Sequence, residues 1–403
     1  MAYDNLFTRF RLADVDQSEF EQLLLFHFNH STGVSPREIH YQRAQQDGIA
    51  LIARYDSNGE LSSLDPGPAL QDNDVIQLEE KVNSFLLKSS AENIGQIVLF
   101  AHVPTTGHFR YKDRFQILPL PAEAPRPSFL LGDHPLLLQF AVSESEDFHT
   151  NSIRRSRIGR EIELLCVALT TTIWRSISSV VRHHWVVTSS DDPQNLKSEF
   201  LQEGYIYKSA NGKLEKFSDT INIPALTLSA TDEYYNRRGI AVDQVLDLPT
   251  DFTALLDRFY ACSREDRDRF LRASYWFAHA QFVANISRSA SFTALVSAIE
   301  ALMPPPDSAM KCVTCNRSTG KGPTAQFSDF VSHFAPDPMV SKSDRRKLYS
   351  LRSALSHGGS LLHSDRTNWM GGMTGKSIDE WEDHQAMWRI VRVTLVNWLL
   401  FRT

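Results

Sequence analysis

The chain has 403 residues, of which 42% are hydrophobic and 22% charged, with a formal net charge of −6. That length exceeds one ordinary core and predicts two or three domains, and the composition is that of a globular protein. The mildly acidic balance argues against a nonspecific coat for nucleic acid, and no apolar run of about eighteen residues is present to make a transmembrane helix.

The charge is uneven: residues 1–150 carry about ten more acids than bases, and the remainder a slight basic excess. The opening MAYDNLFTRFRLADVD has no basic flank followed by an apolar stretch, so it does not read as a signal peptide. Four cysteines are too few for a disulfide framework in a chain this long. Cys166 and Cys262 stand alone in apolar, helix-like surroundings and are expected as buried thiols. Together these features predict a cytoplasmic protein with reduced cysteines.

In chain order, GIALIARY (Gly48 to Tyr55) reads as a short strand entering the turn signal DSNG. VIQLEEKVNSFLLK carries Val75, Leu78, Val82, Phe85 and Leu86 at helical spacing. GQIVLFAHVP and RFQILPL read as two further strands, and the proline-rich PLPAEAPRP (Pro119 to Pro127) as a linker or strand edge. A helix is predicted from Ser152 to about Ile177, with Ile158, Ile162, Leu165 and Leu169 on one face. HWVV reads as a strand, and Asn211-Gly212 between alternating residues as a hairpin turn.

After LPTDF (Leu248 to Phe252) the pattern becomes helix after helix. A short helix covers residues 250–260. REDRDRFLRASYWFAHAQF follows, with Ser263 and Asp266 as capping residues. SFTALVSAIEALM ends at Pro304, Pro305 and Pro306. AQFSDFVSHFA and SKSDRRKLYSLRSALSH come next, and a last helix runs from about Ile378 to Phe401. Its apolar positions Trp381, Met387, Trp388, Val391, Leu395 and Trp398 are expected in a core. The predicted class is therefore α+β: a mixed, strand-rich region over 1–245, with a possible sub-boundary near 120–150, then an all-α bundle over 246–403.

The stretch LYSLRSALSHGGSLL carries the chemistry. Leu348, Leu351 and Leu355 form the core-facing stripe of its helix, and Tyr349, Arg352, Ser353 and Ser356 lie on the other side. Gly358 and Gly359 fit a C-terminal cap, which puts His357 in the last turn. Arg352 and His357 are about 140° apart around an ideal helix, so the turn at the cap must bring them together if they act together. A basic last turn followed by glycine is also what an ordinary helix end looks like.

The wording RSALSHG at the end of a bundle helix, preceded by the SAIEAL helix, resembles the HEPN superfamily and most closely its ApeA-like branch, whose hallmark is an arginine and a histidine separated by four to six residues. The resemblance covers roughly residues 250–403. It implies an all-helical, metal-independent ribonuclease in which two copies pair to build one composite cleft. Arg352 would hold the phosphate, and His357 would transfer protons. Ser353, Tyr349 and Glu300 are candidates to support the motif, Glu300 by orienting Arg352; plain surface exposure is the alternative for each. Arg345, Arg346 and Lys347 would draw in the RNA backbone. The resemblance implies no cofactor for catalysis, RNA as substrate and a homodimer. The size of the attached region 1–245 suggests a sensor or regulator, and such a nuclease would serve anti-phage defence or a toxin-like stress response. A catalytically silent HEPN module that binds RNA or a nucleotide is the alternative function.

Cys312 and Cys315, in MKCVTCNRSTGKG, have the spacing of half a tetrahedral zinc site. His333, His363 or the same pair from a second copy are the candidates to complete it. A metal-free pair in a loop is the other reading, and a zinc-stabilised helical adaptor is a third view of the protein as a whole.

Overall fold

The computed structural model describes residues 6–12, 15–44, 47–57, 59–87, 93–124, 134–142, 159–162, 164, 165, 167, 168, 173–175, 185–188, 198–202, 214–237, 244–284, 286–304, 322–336, 341–366 and 375–402. The chain is α+β, with its sheets in the N-terminal half and helices towards the C-terminus. It forms two compact units. The first takes residues 1–95, 140–159 and 213–217, and the second takes 96–139, 160–212 and 218–403.

In the first unit, helices α1 (Leu6–Arg9), α2 (Gln17–Phe28) and α3 (Asp72–Lys81) accompany a four-stranded antiparallel meander. The strands are β1 (Asn29–Ser35), β2 (Glu38–Arg43), β3 (Leu51–Tyr55) and β4 (Leu61–Pro66). Asp16 caps α2 by accepting the Glu19 N–H at 3.0 Å. Asn29 ends it in the left-handed region (φ 60°), a conformation asparagine tolerates, and turns the chain into β1. Phe20, Leu23, Leu24 and Phe28 of α2 are buried in one core with Tyr41, Leu51, Ala53 and Leu64 of the sheet. Val75, Leu78 and Val82 join them at the predicted helical spacing, and α3 runs on into a π-turn over Val82–Leu87. The turn after β3 closes as predicted, with the Asp56 carboxylate accepting the Glu60 N–H at 2.9 Å. One polar cluster is buried here: His27 lies 3.5 Å from Asp74, which also pairs with Arg43. Burial, with the Lys81 charge second, lowers the His27 pKa to about 4.

The second unit contains a five-stranded sheet ordered β6 (Phe109–Tyr111), β7 (Phe115–Pro119), β8 (His134–Val142), β5 (Asn93–Ala101) and β9 (Ile173–Arg175). A buried amide ladder crosses it. Gln116 Nε2 donates to Gln139 Oε1 at 2.6 Å, and Gln139 Nε2 donates to Gln96 Oε1 at 2.8 Å and to Ser218 Oγ at 2.6 Å. The Ser218 N–H returns a bond to Gln139 Oε1 at 2.9 Å. The helix predicted over 152–177 is shorter than expected. Residues 159–162, 164, 165, 167 and 168 are helical, but Ile173–Arg175 form β9, antiparallel to β5 with Phe100 opposite Trp174. The run of three threonines and an isoleucine before Trp174 is β-branched, and such residues disfavour the helix interior. HWVV does form a strand, β10 (Trp185–Thr188), paired with β11 (Ser198–Gln202). The hairpin expected at Asn211-Gly212 lies outside the described residues.

A two-stranded parallel pair, β12 (Thr227–Ser229) and β13 (Asp247–Pro249), is joined to the short helix α4 (Thr231–Asn236). Among the described residues seven helices follow: α5 (Phe252–Ala261), α6 (Arg264–Val283), α7 (Arg288–Glu300), α8 (Pro323–Phe334), α9 (Lys342–Ser356), α10 (His363–Arg366) and α11 (Gly375–Phe401). Ser263 caps α6 through Asp266, as predicted. In the bundle α7 packs on α6, α9 and α11, and α8 packs on α9 and α11. Phe270 and Phe277 of α6 meet Trp398 and Trp388 of α11, with ring centres 6.0 and 5.4 Å apart. Phe292, Leu295, Val296 and Ile299 of α7 are completely buried, each stabilising the fold by roughly 2 kcal/mol. Two core expectations are corrected. Trp381 is 42% exposed, because it lies in the early turns of α11, and Cys262 is half-buried at the C-cap of α5 rather than inside a helix.

His384 of α11 is buried in this bundle, with Nε2 2.9 Å from Ser291 Oγ, which itself donates to the Ala280 carbonyl. Burial, reinforced by the Arg288 charge, lowers its pKa from 6.5 to about 4. The unfolded chain therefore binds a proton that the folded chain refuses. Stability present above pH 6.5 is lost as the pH falls towards 4, by up to about 3 kcal/mol for this one side chain. Urea unfolding between pH 7 and pH 4 is expected to show this loss, and His384→Gln to flatten the part due to His384.

Candidate active site

Two helices of the bundle build the site. Helix α9 begins with a capping box: Ser341 Oγ accepts the Asp344 N–H at 3.1 Å, and Asp344 Oδ2 accepts the Ser341 N–H at 3.0 Å. Leu348 and Leu355 are buried on its inner side. Arg352, on the same helix, reaches α7, and its Nη2 donates to Glu300 Oε2 at 2.8 Å. The Tyr349 hydroxyl, one turn earlier, donates to the other carboxylate oxygen of Glu300 at 3.0 Å. Glu300 therefore holds both side chains at once. The phenol ring of Tyr349 leans on buried Phe327 of α8, centre to centre 4.7 Å. Burial, then the Glu300 carboxylate, raises the Tyr349 pKa and keeps its proton in place for that bond. The Arg352 side chain stays 26% exposed, so a pinned guanidinium still meets solvent. Glu300 and Tyr349 come together with Arg352 as anticipated; Ser353 is half-exposed, and its carbonyl accepts the His357 N–H at 3.1 Å.

His357 is the C-cap of α9 and is exposed. Gly358 adopts φ +69°, where a Cβ would be strained. Its N–H and that of Gly359 bond back to the Leu355 and Ala354 carbonyls at 3.1 and 2.9 Å. This closes the helix as the glycine pair predicted. The chain then docks on α7. The Leu362 N–H donates to Ser289 Oγ at 2.9 Å. The Asp365 carboxylate accepts Ser287 Oγ at 2.8 Å and the N–H groups of Arg288 and Ser289 at 2.9 and 2.8 Å. The His363 N–H donates to Glu380 at 2.5 Å. Sequence reasoning missed Asp365 and its serine partners, because they are more than seventy residues apart and share no spacing signal.

The three basic candidates differ. Lys347 pairs with Asp383 of α11 at 2.9 Å, and that carboxylate raises its pKa. Arg346 is exposed and Arg345 half-buried. Lys347 is thus partly neutralised, although its side chain is exposed. The pair Cys312 and Cys315 lies outside the described residues. Of the residues considered to complete a zinc site, His333 is exposed on α8 and His363 sits in α10. Among the described residues no group of three or more His, Cys, Asp or Glu is placed to hold a metal ion, and no helix is long and apolar enough to cross a membrane.

Glu300→Gln tests the clamp. With Glu300 28% and Arg352 26% exposed, the stability cost is expected to stay below about 1 kcal/mol. Any activity that uses Arg352 is expected to fall by about 10- to 100-fold as the guanidinium loses its placement. Thermal melting and activity assays on the same sample separate the two effects.

No family model matches the chain, and no curated protein or solved structure is significantly similar to it.

Proposed function

We propose that the protein is a metal-independent endoribonuclease of the HEPN type, acting in anti-phage defence or a toxin-like stress response. One observation carries the reading: Arg352 is held by Glu300 at 2.8 Å yet remains open to solvent, five residues before an exposed His357 on the same helix end. Such a guanidinium suits the non-bridging oxygens of a phosphodiester, and an imidazole suits proton transfer near neutral pH. In the proposed reaction the ribose 2′-oxygen attacks phosphorus, and its proton passes to one imidazole. The bond from phosphorus to the 5′-oxygen breaks, and that oxygen takes a proton from a second imidazole. The second His357 and Arg352 would come from a second copy of the chain. The products are a 2′,3′-cyclic phosphate and a 5′-hydroxyl end. Residues 1–245 would hold or release this activity in response to a trigger.

Purified protein incubated with total RNA in EDTA tests this. Fragments with cyclic-phosphate and 5′-hydroxyl ends are expected. Ends bearing a 5′-phosphate, or cleavage that EDTA abolishes, would overturn the mechanism. Binding without cleavage would instead favour a silent RNA-binding module.

A further inference from the structure

Resting on that reading, we propose that Asp365 is a positioning residue for His357. It latches the far end of the loop that His357 begins onto the first turn of α7, the helix whose other end clamps Arg352. Helix α7 has 13 residues, so it is about 20 Å long. At its last residue Glu300 takes Arg352 and Tyr349. At its first residues Ser287, Arg288 and Ser289 donate three bonds to Asp365, and Ser289 Oγ also receives the Leu362 N–H. Between those anchors the chain runs from Arg352 through His357 to Leu362. The near end of the loop is fixed by the glycine cap, with Gly358 and Gly359 bonded to the Leu355 and Ala354 carbonyls. The far end is fixed by Asp365 and by buried Leu362. His357 itself has an exposed side chain, so its placement depends on the backbone that carries it. One rigid helix thereby sets both halves of the arginine–histidine pair relative to each other. The carboxylate also suits its place chemically: it lies at a helix N-terminus, where N–H groups and the helix dipole favour negative charge.

Asp365→Asn keeps the size but turns one acceptor oxygen into a donor facing N–H groups. Ser289→Ala removes the acceptor of Leu362 and the Ser289 side-chain bond to Asp365 but keeps the carboxylate and its backbone donors, and is the milder probe should the first variant fold poorly. Two readouts are taken on full-length protein whose melting shows that it is folded. In NMR the imidazole resonance of His357 is expected to shift or broaden, with faster amide exchange over residues 358–362. In single-turnover RNA cleavage the rate constant is expected to fall about 10-fold, with the half-saturating RNA concentration changing less than about 2-fold. An unchanged His357 resonance together with unchanged exchange in both variants would overturn the proposal, as would cleavage at the wild-type rate. Absence of cleavage by the wild-type protein would count against the nuclease reading alone, and the resonance would then decide the latch by itself.

Discussion

Replacing Arg352 by alanine, or His357 by alanine, is expected to reduce RNA cleavage by about 100- to 1000-fold while leaving the protein folded. The two losses have different chemistry. Alanine at 352 removes the planar fork that would hold the phosphate oxygens as charge builds on them. Alanine at 357 removes the group that would move the proton. The folded state tolerates both changes for reasons visible in the site. Glu300 keeps its bond from Tyr349 and is 28% exposed, so water solvates the oxygen that Arg352 vacates. The helix end at 357 is closed by backbone groups and by Gly358 at φ +69°. Arg352→Lys separates charge from geometry: it retains the cation but not the fork, and an intermediate rate is expected. Equal rates in wild type and both alanine variants, measured on a labelled RNA, would remove these residues from the reaction.

Arg392→Ala is expected to have the largest effect on stability, about 3–4 kcal/mol, read as a lower urea midpoint. Arg392 lies in the middle of α11 and is only 4% exposed. Its Nη2 donates to the Tyr235 carbonyl at 3.0 Å and to the Arg237 carbonyl at 3.3 Å. Those carbonyls belong to the end of α4, where the helix supplies no further donors and a cation is favoured. Burial pulls the Arg392 pKa down to about 10, which still leaves it charged at neutral pH. Alanine would therefore open a cavity and strand two buried acceptors. Arg392→Met refills most of the volume and is expected to recover roughly half of the loss, which apportions packing against hydrogen bonding. A change below about 1 kcal/mol for the alanine variant would show that α4 finds other donors.

The bundle was legible because its signals are local. Ser263 caps its helix as its neighbours in sequence suggested, the glycine pair ends α9, and buried Leu348 and Leu355 follow the helical period. Glu300 and Arg352, fifty-two residues apart, meet between α7 and α9, although the helical period had put Tyr349 and Arg352 on the side away from the core: Tyr349 packs on Phe327, and both side chains bond to Glu300. The strands were less legible. All seven residues of β1 are exposed, and only Tyr41 of β2 is buried, so neither strand shows the apolar alternation that marks a half-buried strand. At Ile173–Arg175 an amphipathic run upstream suggested a longer helix, and the β-branched residues together with pairing to β5 prevailed. Trp381 fits the period of the α11 core yet is 42% exposed, since periodicity fixes the face of a helix but not how far along it a neighbour extends. The Asp365 latch had no local signal at all, because its three donors lie on another helix.

The amide ladder of the second unit constrains how this chain can vary over generations. Gln139 is engaged by Gln116, Gln96 and Ser218 at once, and both Gln116 and Gln139 are wholly enclosed. An apolar side chain at any one of these four positions removes a bond from a cluster whose centre, Gln116 and Gln139, is shut off from water, a greater burden than replacing the set together. Among descendants of a common ancestor, positions 96, 116, 139 and 218 are therefore expected to be inherited as a block: kept in concert, or exchanged in concert for a greasy quartet.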